Sequence, residues 1–507
     1  MKARAIMVQG TSSDAGKSML ATALCRIFAN QGFKVAPFKS QNMALNSYVT
    51  KSGGEIGRAQ GVQAEAARIE PTTDMNPILL KPKQDMVAEM IVHGKRFADL
   101  DASDYRASYV RQAMPFVSES YDRLAAEYDV LVIEGAGSPA EINLRDRDIA
   151  NMRIAELADA AVILVADIER GGVFASIIGT LALLTESERK RIKGFVINKF
   201  RGRRELLDDG VEWLERETGI PVLAVLPYFD VGIDAEDSLA LASLRFKRPR
   251  SDEFSIDIAI LRLPRISNFT DFDPLFDEPE AGVRYVRHVG ELGTPDLLII
   301  PGTKNTLDDL NWLRGAGFEQ PIRSLHAKGT QIIGICGGYQ MLGERLFDPD
   351  GVENGQSEAA GLGFLPIDTV FQAEKKTVQM TGKLIAEWKD ASELEGYEIH
   401  LGISTMTRPV QPFLQLADGR LDGAVSVDGQ VFGTYLHGLF HNRSFTRELC
   451  NRLRVKKGLD PLDRNVLTEA DRREEAYEGL ARHVVEHMDM EKVYQLLNVK
   501  ENGGVRV

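Results

Sequence analysis

The sequence predicts an α/β protein of two domains, each a mainly parallel sheet with helices on its faces. Three observations predict it. Short apolar, β-rich runs alternate with helical stretches through the first 230 residues, the pattern of parallel strands joined by crossover helices. That alternation stops near 246–253, "FKRPRSDE", and then restarts. At 507 residues the chain exceeds one ordinary core, so two or three domains are expected. The expected division is 1–245, 254–447 and a helical extension over 448–507.

The elements follow in order. "ARAIMVQG" (3–10) reads as a strand and leads through a glycine turn into the helical "KSMLATALCRIFANQG" (17–32). "DVLVIEG" (129–135) is a second apolar strand; "RDIANMRIAELAD" (147–159) has helical spacing and precedes the buried strand "AVILVAD" (161–167). "GFVINKF" (194–200) and "PVLAVLPY" (221–228) repeat the theme. Ligands gather at the carboxyl ends of such strands, so the turns after Gln9, Ile133, Ala166 and Ile197 are expected to converge. In the second half, "SIDIAILRL" (255–263), "PDLLIIPG" (295–302), "TQIIGICGG" (330–338) and "AVSVDGQVFGTYLHG" (424–438) restart the pattern with more antiparallel content toward the end. "VKENGGVRV" (499–507) is expected to fray.

Composition excludes several classes. A net charge of −13 argues against nucleic acid or an anionic membrane as partner. No apolar run approaches the length of a bilayer span. The opening "MKARAIMVQG" runs straight into a strand and lacks the apolar stretch of a signal peptide. The three cysteines, Cys25, Cys336 and Cys450, form no CxxC pair, which fits a reducing cytoplasm. The sequence leaves the oligomeric state open.

The first candidate site is the turn "GTSSDAGKS" (10–18). It departs from G-x-x-x-x-G-K-[ST] by holding its first glycine at Gly10, with Thr11 where the glycine usually stands. The backbone from Gly10 and Thr11 to Gly16 still has room to wrap a phosphate, and the next helix adds its positive N-terminus. Lys17 is expected to reach the β/γ-phosphates and Ser18 to bind Mg²⁺. Glu134, directly after an apolar strand, is the candidate second metal-ligating carboxylate, with capping as the plain alternative. Asp146 and Asp148 either orient a substrate or cap the helix that follows. Asn198 either reads a nucleobase edge or forms a turn.

The second candidate site is "QIIGICGGYQMLG" (331–343), an apolar strand, a sharp turn at Cys336 and a helix. A nucleophile at such a turn projects outward, and the helix N-terminus favours its thiolate. The N–H groups of Gly337 and Gly338 suit an oxyanion, as does the turn near Gly302 and Thr303. Cys25 and Cys450 lie in apolar helical patterns and read as core. A thiol nucleophile needs a base; His437, ending the strand of "VFGTYLHGLF", is the candidate and His400 its rival.

Families resemble both halves. The extended loop with "EGAG" resembles dethiobiotin synthetase and its relatives, ATPases that phosphorylate a carboxylate or carbamate. "GICGGYQ" with "YLHG" resembles the class I glutamine amidotransferase domain, which releases ammonia from glutamine. That class usually carries a glutamate two residues after the histidine; Leu439 stands there, so the resemblance implies a Cys336–His437 dyad, with Glu398 as a substitute third member. The order of the halves resembles the cobyrinic acid amidating enzymes. "KSQNMALNSYVT" (39–50), "RDIANMRIAE" (147–156), "DIERGGVFASIIGT" (167–180), "LPRISNFTDFDPL" (263–275) and "PGTKNT" (301–306) look specifically like the cobyric acid synthase family. The resemblance implies an N-terminal P-loop domain binding ATP with Mg²⁺ and corrinoid, and a C-terminal class I amidotransferase-like domain. The implied reaction amidates the b, d, e and g carboxylates of adenosylcobyrinic acid a,c-diamide with glutamine and ATP. It also implies that Asn42, within "NMALNS", and "ERGGVF" face corrin or nucleotide. The corrinoid is then substrate, which fits the absence of a D-x-H-x-x-G cobalamin-binding motif. The rival enzymes are a cobyrinic acid a,c-diamide synthase and a glutamine-dependent ligase acting on a cell-wall lipid. The rival non-enzyme is a partition-type ATPase switch, which has no use for Cys336 and its glycines.

Overall fold

The computed structural model describes residues 3–84, 87–101, 109–229, 254–353, 356–385 and 393–500. The break expected at 246–253, the boundary at 245 and the tail beyond 500 lie outside them. The chain forms two compact units. One is Met1–Ala44 with Gly54–Glu236 and Arg472–Val507; the other is Leu45–Gly53 with Asp237–Asp471. This division differs from the contiguous one expected from the sequence. A short segment near residue 50 belongs to the second unit, and the last helices belong to the first.

In the first unit the main sheet runs Val222–Pro227, Ile192–Phe200, Ala161–Asp167, Arg4–Gly10, Val130–Glu134, Val35–Phe38, all in parallel. Its strands are near-continuous Val, Ile, Leu and Ala because helices cover both faces. One core packs helices Tyr109–Glu127, Met152–Leu157 and Val173–Leu183 on one face. The other core packs helix Lys17–Asn30 with Glu469–His487 and Met490–Leu497 on the opposite face. Tyr477, Leu480, Val484, Val493 and Leu497 are buried there, which is why the C-terminal helices are not a free extension. Beside the main sheet lies a four-stranded one, Gln41–Met43, Ile78–Gln84, Val87–Val92 and Lys95–Asp101.

The second unit has a sheet ordered Ala281–Val286, Ile256–Leu261, Leu297–Ile300, Gln331–Ile335, Val431–Thr434 and Ala424–Val425. All pairs are parallel except the last. A further sheet is built on the long antiparallel pair Ile367–Leu384 and Leu394–Met406. This is the α/β architecture expected, with antiparallel content gathered toward the end of the chain. Among the described residues, no helix is long and apolar enough to cross a membrane.

Candidate functional sites

The strand ends of the first unit converge as topology requires. The parallel register sets Val8 beside Glu134 and Asp167 beside Asn198. Thr11 N–H donates to Val165 O at 2.9 Å, and Gly135 N–H to Val8 O at 2.9 Å. The loop after Gly10 therefore starts from a fixed anchor. A Cβ on Gly10 would lie 2.9 Å from Ser12 O and 3.1 Å from the Lys17 stem, so the displaced glycine is what lets the loop close over Lys17. Gly16 sits at φ 103°, and a Cβ there would collide with the Asn198 amide. That amide donates to Ala15 O at 2.9 Å. Asn198 thus fixes the loop backbone.

Lys17 is buried and its Nζ donates to Ser12 O at 3.0 Å and Gly137 O at 3.1 Å. Ser18 Oγ donates to Glu134 Oε1 at 2.8 Å. Glu134 has no exposed surface. Lys39 Nζ lies 2.9 Å from the same oxygen, and Gln63 Nε2 2.5 Å from the other. A fully buried carboxylate needs partners of this kind. Lys39 and Gln63 come from a strand end and a helix that motif spacing does not link to Glu134, and sequence reasoning missed both. The Ser18–Glu134 pair offers two hard oxygen ligands side by side, which suits an ion completed by phosphate oxygens and water. Among the described residues no cluster of three or more His, Cys, Asp or Glu is arranged to hold a metal.

The remaining first-unit candidates separate. Asp148 Oδ1 accepts the N–H groups of Ala150 at 2.8 Å and Asn151 at 2.9 Å, so it holds the turn that leads into the helix Met152–Leu157. Burial pushes its carboxyl up, and these backbone donors pull against that. Asp146 stands exposed on the short helix Ile142–Arg147. Asn42 is buried, with Nδ2 at 3.2 Å from Gln60 Oε1.

In the second unit Cys336 closes the strand Gln331–Ile335 at φ 50° and ψ −108°, a strained conformation for a residue with a Cβ. Its N–H is tied to Thr434 O at 2.8 Å. The glycines around it are steric necessities. A Cβ on Gly338 would collide with Ile300 O, and one on Gly337 would lie 2.8 Å from Thr303 Cγ2. A Cβ on Gly302 would lie 3.0 Å from His437 Cε1 and 3.7 Å from Cys336 Cβ. Gly302, Gly337, Cys336 and His437 therefore share one small space. The Gly302 turn is held by Ser267 N–H on Gly302 O at 3.0 Å and by Thr303 Oγ1 on Asp309 Oδ2 at 2.5 Å.

His437 is buried, and its Nδ1 lies 2.6 Å from Asp271 Oδ2. Its Nε2 makes no hydrogen bond among the described residues. Burial pushes the imidazole down, but the Asp271 carboxylate and then Cys336 outweigh it and lift the group to about 10. The rival His400 behaves oppositely. Burial pushes it down to about 3, and its Nδ1 meets Gly402 O at 2.6 Å. Glu398 does not reach His437. It pairs with Lys376 and with Arg420 at 3.4 Å. The reason is strand alternation: its neighbour Tyr397 stacks on His437 at 5.1 Å, so Glu398 faces the other way.

Sequence comparison agrees with this division of labour. Residues 6–239 match the model of the CobQ/CobB/MinD/ParA nucleotide binding domain. Residues 257–445 match the CobB/CobQ-like glutamine amidotransferase domain. The cobyric acid synthase of Desulforamulus reducens is 52% identical over 98% of this chain and 99% of its own. That of Streptococcus sanguinis is 50% identical, covering 98% and 99%. That of Anoxybacillus flavithermus is 51% identical, covering 97% of each. Identity of this extent across both halves is that of one family rather than of two borrowed domains, and the chain belongs to the cobyric acid synthase family of glutamine-dependent, ATP-consuming amide ligases.

Proposed function

We propose that the chain converts adenosylcobyrinic acid a,c-diamide to adenosylcobyric acid by amidating the b, d, e and g carboxylates, with ATP and glutamine as co-substrates. The observation that carries the reading is the presence in one chain of a buried Lys17–Ser18–Glu134 constellation and a strained Cys336 beside His437. One serves to activate a carboxylate; the other serves to release ammonia.

In the first step a substrate carboxylate oxygen attacks the γ-phosphorus of ATP, forming an acyl phosphate and releasing ADP. The loop from Gly10 and Thr11 to Gly16 wraps the phosphates, and Lys17 follows the charge of the group in transfer. Ser18 and Glu134 would hold Mg²⁺, which neutralises phosphate charge when bound. Lys39, 2.9 Å from Glu134 Oε1, holds that carboxylate at the strand end. Asn198 acts on the loop through Ala15. Asp146, Asn42 and the "ERGGVF" turn are the substrate-side candidates, while Asp148 Oδ1 is engaged by the turn before the next helix.

In the second step Cys336 Sγ attacks the carboxamide carbon of glutamine, with the oxyanion facing the N–H groups of Gly302 and Gly337. His437 takes the thiol proton and gives it to the departing amide nitrogen, which leaves as ammonia. Water then cleaves the thioester to glutamate. Ammonia displaces phosphate from the acyl phosphate and the amide forms. The free cysteines fit a cytoplasmic setting.

Labelling tests the acyl phosphate. With heavy oxygen in the corrinoid carboxylates, each amide formed should send one labelled oxygen into inorganic phosphate. Amide formation with unlabelled phosphate would sink the reading.

A further inference from the structure

We propose that Asp271 is the third member of the glutamine-hydrolysing site, orienting His437, and that residues 46–49 strap it in place. The inference rests on the reading of Cys336 and His437 given above. Where the amidotransferase class carries a glutamate, this chain has Leu439, which is buried and apolar. The carboxylate is supplied instead from 166 residues away in sequence, within "LPRISNFTDFDPL", a stretch to which sequence reading gives no role.

The geometry is that of an orienting group. Asp271 and His437 are 3% and 1% exposed. One Asp271 oxygen meets His437 Nδ1 at 2.6 Å; the other accepts the N–H of Gly438 at 3.1 Å. The Tyr397 ring lies flat against the imidazole, 13° from parallel. The ring is therefore fixed at its edge and on its face. With the Nδ1 proton held by a carboxylate, Nε2 is the nitrogen left to exchange a proton with the thiol.

The support of Asp271 comes from an unexpected place. Leu45–Gly53 belongs to this unit although the chain on either side of it does not. Asn268 adopts φ 51°, and its Oδ1 accepts the N–H of Ser47 at 2.9 Å. The N–H of Phe269 donates to Asn46 Oδ1 at 3.1 Å. Val49 packs against Tyr397 and Ile399 and takes a hydrogen bond from Gln379 at 2.7 Å. The same strap thus braces the loop carrying Asp271 and the strand carrying Tyr397, the two contacts that fix His437. It also gives a role to "NSYV" within the stretch 39–50.

Among the described residues, the ionisable groups found against His437 are Asp271, Cys336, Tyr397 and His400. Among them Asp271 is the foremost cause lifting the imidazole, and His400 stays neutral through the working range. Loss of the Asp271 charge lets His437 give up its proton at lower pH, so the alkaline limb of glutamine hydrolysis moves toward acid.

The test measures glutamate release against pH for the parent, Asp271→Asn and Asp271→Glu, with ammonium-driven amide formation measured beside it. Asp271→Asn should lower kcat on the order of 10²–10⁴-fold, leave KM little changed and shift the alkaline limb down. Asp271→Glu should recover part of the rate, and ammonium-driven amidation should survive in both. Hydrolysis within about threefold of the parent, with an unmoved limb, would overturn the proposal. Loss of ammonium-driven amidation as well would also overturn it, because the role would then be structural. Cys336→Ala separates the two levels: if it still hydrolyses glutamine, the underlying site reading fails, whatever Asp271 does.

Discussion

At the scale of the residue, Gly16 shows how little freedom the phosphate loop has. Its φ of 103° and the nearby Asn198 amide exclude any side chain. Gly16→Ala should cost about 1–3 kcal/mol of local strain and abolish amidation with either nitrogen source, while glutamine hydrolysis persists. Parallel assays of amide and glutamate check it; normal amide formation would show that the loop tolerates another shape. Lys17, Ser18, Glu134, Cys336 and His437 were legible because motif spacing or a glycine turn marks each. Asp271, Lys39 and Gln63 were not, since tertiary packing alone brings them to their partners. The one sequence signal for Asp271 was negative: Leu439 left a carboxylate missing. Glu398, the substitute third member the resemblance offers, is turned away from His437 by strand alternation and pairs with Arg420 instead. His400→Ala should accordingly keep measurable glutamine hydrolysis, whereas His437→Ala should fall to the level of Cys336→Ala, as members of a catalytic unit do. The reverse pattern in glutamate release would reassign the base.

At the scale of the element, the strands of both parallel sheets were legible because buried parallel strands are continuous apolar runs. The sheet containing Gln41–Met43 was not. Its first strand has three residues, too short for periodicity to register. The C-terminal helices read as helices in the sequence but are not placed by it, because their partners, the apolar face of helix Lys17–Asn30 and the buried Arg26, lie far away along the chain. Arg26 has no exposed surface and meets Glu474 at 2.7 Å and Glu478 at 3.3 Å. Removing both acids would leave that guanidinium uncompensated. The usual cost is about 3–5 kcal/mol, and less is expected here because Glu474 is half exposed. The double variant Glu474→Gln/Glu478→Gln should therefore melt earlier by calorimetry. An unchanged melting temperature would show that these helices are held by apolar packing alone.

At the scale of the whole molecule, the two candidate sites lie in different units. The phosphate loop, Glu134 and their supports lie in the first; Cys336, His437 and Asp271 lie in the second. The resemblance of the sequence to the cobyric acid synthase family is upheld by relatives that match almost end to end. What sequence alone did not convey is that the units are not consecutive blocks. Residues near 50 and beyond 471 cross the expected boundaries, because burial of Tyr477, Leu480 and Val493 and the bonds of Asn46 and Ser47 outrank order along the chain.

The central claim is that carboxylate activation and ammonia release are separable chemistries. Corrinoid amide formation with glutamine and with ammonium, measured for Lys17→Ala and Cys336→Ala, tests it most directly. Cys336→Ala should lose the glutamine-driven reaction and keep the ammonium-driven one. Lys17→Ala should lose both while still releasing glutamate, since hydrolysis at Cys336 needs no phosphate. Near-normal amide formation by Lys17→Ala, or loss of the ammonium-driven reaction in Cys336→Ala, would contradict the account.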